Sequence, residues 1–269
     1  MFERNIERLL KVLLNPQIAV KHIWRRIPVG SIELREKFDA FTRPSYAWGV
    51  INAAKLARNL GRKSVSVIEF GVAEGYGLMD MEKTALAAEK KYGIEIQVYG
   101  FDVGTGNVVS NDFRDMPYYW NPGAYDFGKE YAQKLSNKLK KAELIVGDVR
   151  NTVKKLCERR DFAPIGFVSF DLGFFNNTKD ALIVFDTDDK NVLPRVLCYF
   201  DDVMGDGALH NEFTGELLAI KEFNNDHGDQ KIAKVNGFSI NRIIKSPWNE
   251  GVYALHRFRH ADYNRFTGT

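Results

Sequence analysis

Cysteine is almost absent: the chain has 2 among 269 residues, Cys157 and Cys198. Two thiols exclude a disulfide framework and cannot alone build a structural zinc site, so a reducing, cytoplasmic setting is expected. Proline (8) and glycine (22) stay at ordinary levels beside 13% aromatics, which excludes collagen-like and low-complexity chains. No uncharged apolar run approaches the roughly 20 residues a membrane-spanning helix needs. A signal peptide is not expected either, because Glu3, Arg4, Glu7, Arg8 and Lys11 interrupt the first apolar stretch. A dominant charge is also missing. With 38 Lys/Arg against 35 Asp/Glu the net charge is +3, too mild to predict a nucleic-acid partner.

What is present is a chain long enough for one large α/β domain, 45% apolar and 27% charged. Ile6, Leu9, Leu10, Leu13 and Leu14 recur at helical spacing. Asn15-Pro16 then reads as a cap and first position for a second helical piece carrying Ile18, Val20, Ile23, Trp24 and Ile27. Residues 1–27 hold six Lys/Arg against Glu3 and Glu7, so this basic amphipathic segment suits either peripheral contact with an anionic membrane or packing on the core or a second subunit. Gly30–Phe41 reads as a charged linker, which makes 1–44 an N-terminal helical cap and linker, and 45–269 the main domain.

From Ser45 the pattern alternates. A helix is predicted to Leu60, closed by Gly61. Strands are expected at Val65–Phe70, Ile96–Asp102, Glu143–Asp148, Phe167–Asp171 and Val196–Asp201, with helices at Met79–Lys91, Thr152–Arg160, Thr178–Phe185 and Phe213–Asn224. Strands separated by helices need crossover connections and so a parallel sheet. Two last runs, Lys231–Ile244 and Val252–Arg259, flank a turn-rich Ser246–Gly251 and predict an antiparallel hairpin at one side. Residues 103–128, rich in Gly, Asn, Pro and aromatics (Tyr118, Tyr119, Trp120, Tyr125), form a long loop after the second strand.

The chemistry collects at strand ends. Glu69-Phe70-Gly71-Val72-Ala73-Glu74-Gly75-Tyr76-Gly77 runs from a strand through a glycine turn into a helix. Such a turn lets backbone approach a ligand, and the helix start directs free N–H groups at it. The spacing also fits the glycine pattern of NAD(P)-dependent short-chain dehydrogenases. Tyr125-xxx-Lys129 has the spacing their chemistry needs, but precedes the third strand, too early in the chain. Asp102 ends the second strand with a carboxylate suited to both hydroxyls of a ribose, and Asp148, followed by Val149, ends the third with an acid suited to an adenine amino group. Each of these aspartates also suits a helix N-cap. Asp171 ends the fourth strand. Tyr199-Phe200-Asp201-Asp202 ends the fifth, and the two adjacent carboxylates can meet one ion only if the chain turns there.

With these stretches in place, the chain resembles a class I S-adenosylmethionine-dependent methyltransferase. Within that superfamily it is similar to the macrocin O-methyltransferase-like group, which methylates sugar hydroxyls with metal assistance. The similarity rests on Glu69-Phe70-Gly71-Val72 with Gly75, Gly100-Phe101-Asp102, Gly147-Asp148 with Thr152, Asp171 with Thr178-Lys179-Asp180-Ala181-Leu182, and Asp201-Asp202. It implies a Rossmann-like, doubly wound α/β fold with a seven-stranded, mostly parallel sheet whose last strand is antiparallel. It also implies S-adenosylmethionine held by Glu69, Gly71, Gly75, Tyr76, Asp102, Asp148, Val149 and Asp171, and Mg²⁺ held by Asp171, Asp201 and Asp202. The acceptor is then a small molecule or glycan, the protein a homo-oligomer such as a dimer.

One departure stands out. In that group a general base commonly follows the first metal aspartate by two or three residues, and here those positions are Gly173 and Phe174. Neither accepts a proton. His210 and Asp206, just beyond the metal acids, are the candidate catalytic substitutes. A methyltransferase-like subunit without turnover is the alternative this gap raises, beside the NAD(P) oxidoreductase reading.

Overall fold

The computed structural model describes residues 16–126, 128–204 and 209–267. Two short helices come first, α1 (Pro16–Arg26) and α2 (Ile32–Lys37), then α3 (Pro44–Asn59), β1 (Ser64–Phe70), α4 (Tyr76–Tyr92) and β2 (Glu95–Asp102). After the long loop follow α5 (Gly128–Lys138), β3 (Glu143–Val146), α6 (Val149–Cys157), β4 (Ile165–Phe170), α7 (Phe175–Leu182) and β5 (Val192–Phe200). The chain closes with α8 (Gly215–Asp226), β6 (Gln230–Lys234) and β7 (Val252–Arg257). The helical periodicity of residues 6–14 lies outside the described residues.

The seven strands form one sheet in the order β3-β2-β1-β4-β5-β7-β6. Pairing is parallel from β3 through β5, while β7 runs antiparallel to both β5 and β6. The expected antiparallel strand is therefore the last one in sequence, inserted inside the edge rather than at it. The order reverses between β1 and β4, which in open α/β sheets marks the ligand crevice at the carboxyl ends of the strands.

Both faces are covered. Val50, Ile51, Leu78, Met81 and Leu135 from α3, α4 and α5 pack on one, and Val153, Leu156, Leu182, Ile220 and Phe223 from α6, α7 and α8 on the other. On the second face four buried phenylalanines form a row across β2, β1, β4 and β5. Ring centroids are 5.0 Å apart for Phe101–Phe70, 5.4 Å for Phe70–Phe170 and 4.6 Å for Phe170–Phe200. Asp102, Asp171 and Asp201 each follow one of these rings. The row anchors three strand ends in register in the core, so the next residue of each emerges at one common edge.

Several boundaries differ from the sequence expectation for identifiable reasons. α3 ends as predicted, with Arg62 N–H on the Ala57 carbonyl and Gly61 N–H on that of Arg58, both 2.9 Å. β5 starts at Val192, earlier than expected, because Pro194 sits where the β4 register shifts between Ile165 and Phe167 and so breaks no regular ladder. β6 stops at Lys234, since Asn236-Gly237, with Gly237 at φ +73°, turns the chain out of the sheet. Residues 30–41 are not a loose linker. Arg242 pairs with Glu36 and, at 2.7 Å, with Asp39, whose other oxygen accepts the Trp248 indole N–H at 3.1 Å. That buried ionic cluster ties α2 to the segment between β6 and β7.

Candidate active site

The turn after β1 is built to bring two strands' ends together. Gly71 has φ +86°, and a Cβ on it would lie 1.9 Å from the Asp171 carbonyl oxygen, so no other residue permits this approach. Gly75, also at positive φ, starts α4 and lies under Leu135. Beneath the turn Glu69 is 1% exposed. Its Oε1 accepts the Tyr46 hydroxyl at 2.7 Å, while its Oε2 is buried without a hydrogen-bond partner. Burial pushes the Glu69 carboxyl up to about 8. A buried acid with one orphaned oxygen beside a glycine turn fits a ligand that brings a cationic donor. Tyr76, the first residue of α4, leaves its ring largely in solvent.

Asp102 occupies the expected place at the end of β2, but its carboxylate is already engaged. Oδ2 accepts the N–H of Val72 at 2.9 Å and of Ala73 at 3.0 Å, and Oδ1 accepts that of Gly104 at 2.7 Å. Each carboxylate oxygen takes about two hydrogen bonds. One acceptor position is left, so the expected grip on two ribose hydroxyls would require the loop to release a bond. Asp148 likewise realises its structural alternative: it caps α6 by accepting Arg150 N–H at 2.9 Å and pairs with the same guanidinium at 2.7 Å. Those Arg150 bonds hold its carboxyl below the ordinary range. Val149 packs half-buried against the core beside it.

Across the Gly71–Asp171 contact lie the other acids. Asp171, Asp201 and Asp202 each offer an oxygen, and the three lie within 4.8 Å of one another. Two oxygens on opposite sides of Mg²⁺ are about 4.2 Å apart, so this half-exposed all-carboxylate set fits a divalent cation within a small adjustment. The turn the paired aspartates require is present as a 3₁₀ turn over Asp201–Val203. Tyr199 donates its hydroxyl to Asp201 at 2.6 Å. Burial, then the charge of Asp201, pushes Asp171 up to about 7. Burial and the neighbouring Asp171 and Asp201 raise Asp202 as well. Among the described residues Arg43 faces them: its Nη1 lies 3.7 Å from Asp171 and its guanidinium sits 5.1 Å over the Tyr46 ring. Arg43, the N-cap of α3, and Tyr46, in its first turn, therefore belong to this site.

The remaining wall comes from the long loop. It is laced by the paired backbone bonds of Asn107 with Ala124 and Gly123, both 2.8 Å. Asp115 fastens it to α7 by accepting Asn176 N–H at 2.9 Å. The loop lays Trp120 on Gly173: a Cβ at 173 would be 2.3 Å from the indole, and Gly173 has φ +65°. The position where a general base was sought is thus filled by an aromatic ring. Tyr119 stands against Trp120 at 4.8 Å and against the His210 ring at 6.3 Å. Burial lowers the His210 pKa, leaving a neutral imidazole at pH 7. Asp206 lies outside the described residues. Tyr125, at φ +65°, faces the cleft; burial, then Asp202 and Asp171, raise its hydroxyl.

Sequence reasoning missed Glu216, which is 1% exposed and hydrogen-bonded to the backbone of both acidic turns. The only sequence signal was an acid in the first turn of a helix.

No protein-family model matches the chain, and no curated protein does. Solved structures do. The crystal structure of CalS11, a calicheamicin methyltransferase, aligns with TM-score 0.52 at 20% identity over 94% of this chain and 91% of that one. The O-methyltransferase NovP aligns with TM-score 0.52 at 12% identity over 80% and 81%. At these identities the likeness is one of fold, and it bears out the class I methyltransferase fold expected from the strand-end motifs.

Proposed function

We propose that this chain is an S-adenosylmethionine-dependent, Mg²⁺-assisted O-methyltransferase acting on a hydroxyl of a sugar, glycan or glycosylated small molecule. One observation carries the reading. The glycine turn with its orphaned Glu69 oxygen adjoins the Asp171–Asp201–Asp202 set where Gly71 packs on the Asp171 carbonyl. The residues that would hold a methyl donor and those that would hold a cation are therefore neighbours. CalS11, a neighbour in fold, is described as a TDP-rhamnose 3′-O-methyltransferase, which points the search for an acceptor toward sugars. The reversed β7 departs from the strand order 3-2-1-4-5-6 of dinucleotide-binding sheets.

When bound, the cofactor supplies an electrophilic methyl group and the metal lowers the pKa of a coordinated hydroxyl. The chain's own residues do the rest. Glu69 and Tyr46 bind the methionine end, with Arg43 offering a cation to its carboxylate. Gly71 and Gly75 let the backbone close on it, and Asp102 holds the turn while keeping one acceptor position for the ribose. Val149, Tyr76 and Asp148 border the adenine. Asp171, Asp201 and Asp202 hold the cation. Trp120 and Tyr119 exclude water and wall the acceptor, and neutral His210 receives the proton. Alignment of acceptor oxygen, methyl and sulfur is the main catalytic task. The exposed Val20 and Ile23 of α1 and Ile27 just after it are assigned to a second copy of the chain, checked by sedimentation.

The test is transfer of labelled methyl from S-adenosylmethionine to a panel of nucleotide sugars with Mg²⁺ or with EDTA. Mg²⁺-dependent labelling is expected, and His210→Ala should lower turnover about 10²–10⁴-fold with cofactor affinity unchanged. Cofactor binding without labelling of any acceptor would favour a non-catalytic subunit.

A further inference from the structure

Glu216 is the second residue of α8, and its buried carboxylate serves two separate turns. Oε1 accepts the N–H of Leu172 at 3.4 Å, the residue after Asp171. Oε2 accepts the N–H of Asp202 at 3.1 Å. Gly215 makes the approach possible: a Cβ there would lie 3.2 Å from the Gly173 carbonyl oxygen and 2.8 Å from Met116. A residue needed only to fill this space would be apolar. A fourth carboxylate placed beside three others adds repulsion that packing alone gives no reason to accept.

We propose that Glu216 is a positioning residue, bracing the Asp171 turn against the Asp201–Asp202 turn so that their three oxygens converge on one divalent cation. The inference rests on the metal site proposed above and extends it to a residue that does not touch the ion. Glu216 is not among the carboxylates whose oxygens lie within 4.8 Å of one another, which distinguishes it from a fourth ligand.

Glu216→Gln separates this role from simple packing. The amide keeps the shape but has one acceptor oxygen, so one turn loses its brace and meets an N–H with an NH₂. Mn²⁺ binding to the full chain, followed by the loss of the free-ion electron paramagnetic resonance signal, should weaken by about tenfold or more, the usual scale for residues behind metal ligands. Calorimetric affinity for S-adenosylhomocysteine should stay within about twofold. Unchanged Mn²⁺ affinity, or equal loss of both ligands, would overturn the proposal. Wild-type chain that binds no Mn²⁺ would instead remove the metal site on which it rests. If Glu216→Gln gives no cooperative melt, Glu216→Asp replaces it: the charge remains but the reach is shorter by one methylene. Weaker Mn²⁺ binding is again expected, and wild-type affinity would refute the bracing role.

Discussion

Glu69 gives the cofactor half of the site a pH signature. In the ligand-free protein its carboxyl is pushed up to about 8 by burial, with only the Tyr46 hydroxyl bonded to one oxygen. It is therefore mostly protonated at pH 6 to 7. A ligand that places an ammonium group against the orphaned Oε2 binds the ionised form, so binding must expel a proton. The sign follows: affinity rises with pH until the free-protein pKa is passed, by at most tenfold per pH unit. Between pH 6 and 8 the gain is about 10- to 50-fold for a free pKa of about 7 to 8. S-adenosylhomocysteine carries the amino acid end and should show the slope in calorimetry. Methylthioadenosine lacks that end and should bind with a flat profile. Glu69→Gln should flatten the first profile while leaving the second unchanged. A flat profile for S-adenosylhomocysteine with wild-type protein, or equal slopes for both ligands, would refute the placement of the methionine end at Glu69.

Asp102→Asn should destabilise the ligand-free protein by about 1–3 kcal/mol in urea unfolding, because one of three N–H groups loses its acceptor; an unchanged midpoint would leave Asp102 free for the ribose alone. Asp201→Asn should abolish Mn²⁺ binding while S-adenosylhomocysteine still binds, and retained Mn²⁺ affinity would remove Asp201 from the ligand set. Gly173→Ala should lose about 2–4 kcal/mol, combining the positive φ with displacement of Trp120. An unaltered melt together with unaltered tryptophan emission would contradict the packing seen there.

The strand ends were legible because parallel strands buried on both faces read as apolar runs, and each run ended in an acid. Glu69, Asp102, Asp171 and Asp201 all stand at the carboxyl edge as expected. For the three aspartates the Phe101, Phe170 and Phe200 rings explain why: a ring in the core fixes the register of the residue after it. Partners far apart in sequence were not legible. Glu216 meets Leu172 across 44 residues, and no local pattern in α8 announces it. Trp120 fills the space over Gly173 only once the loop is fastened to α7 through Asp115. Asp102 and Asp148 had two readings each, ligand or backbone, and composition could not choose between them. α5 carried a usable signal in Tyr131 and Leu135, with Leu139 just after it, at four-residue spacing, hidden behind the irregular loop before it.

The most direct test of the central claim is calorimetric titration of S-adenosylhomocysteine into the protein, with Mg²⁺ and then with EDTA. Binding in the micromolar range, about −8 kcal/mol, is expected under both conditions, because the residues assigned to the methionine end are Glu69, Tyr46 and the glycine turn rather than the three aspartates. Absence of binding under both conditions would contradict the assignment of this fold to methyl transfer.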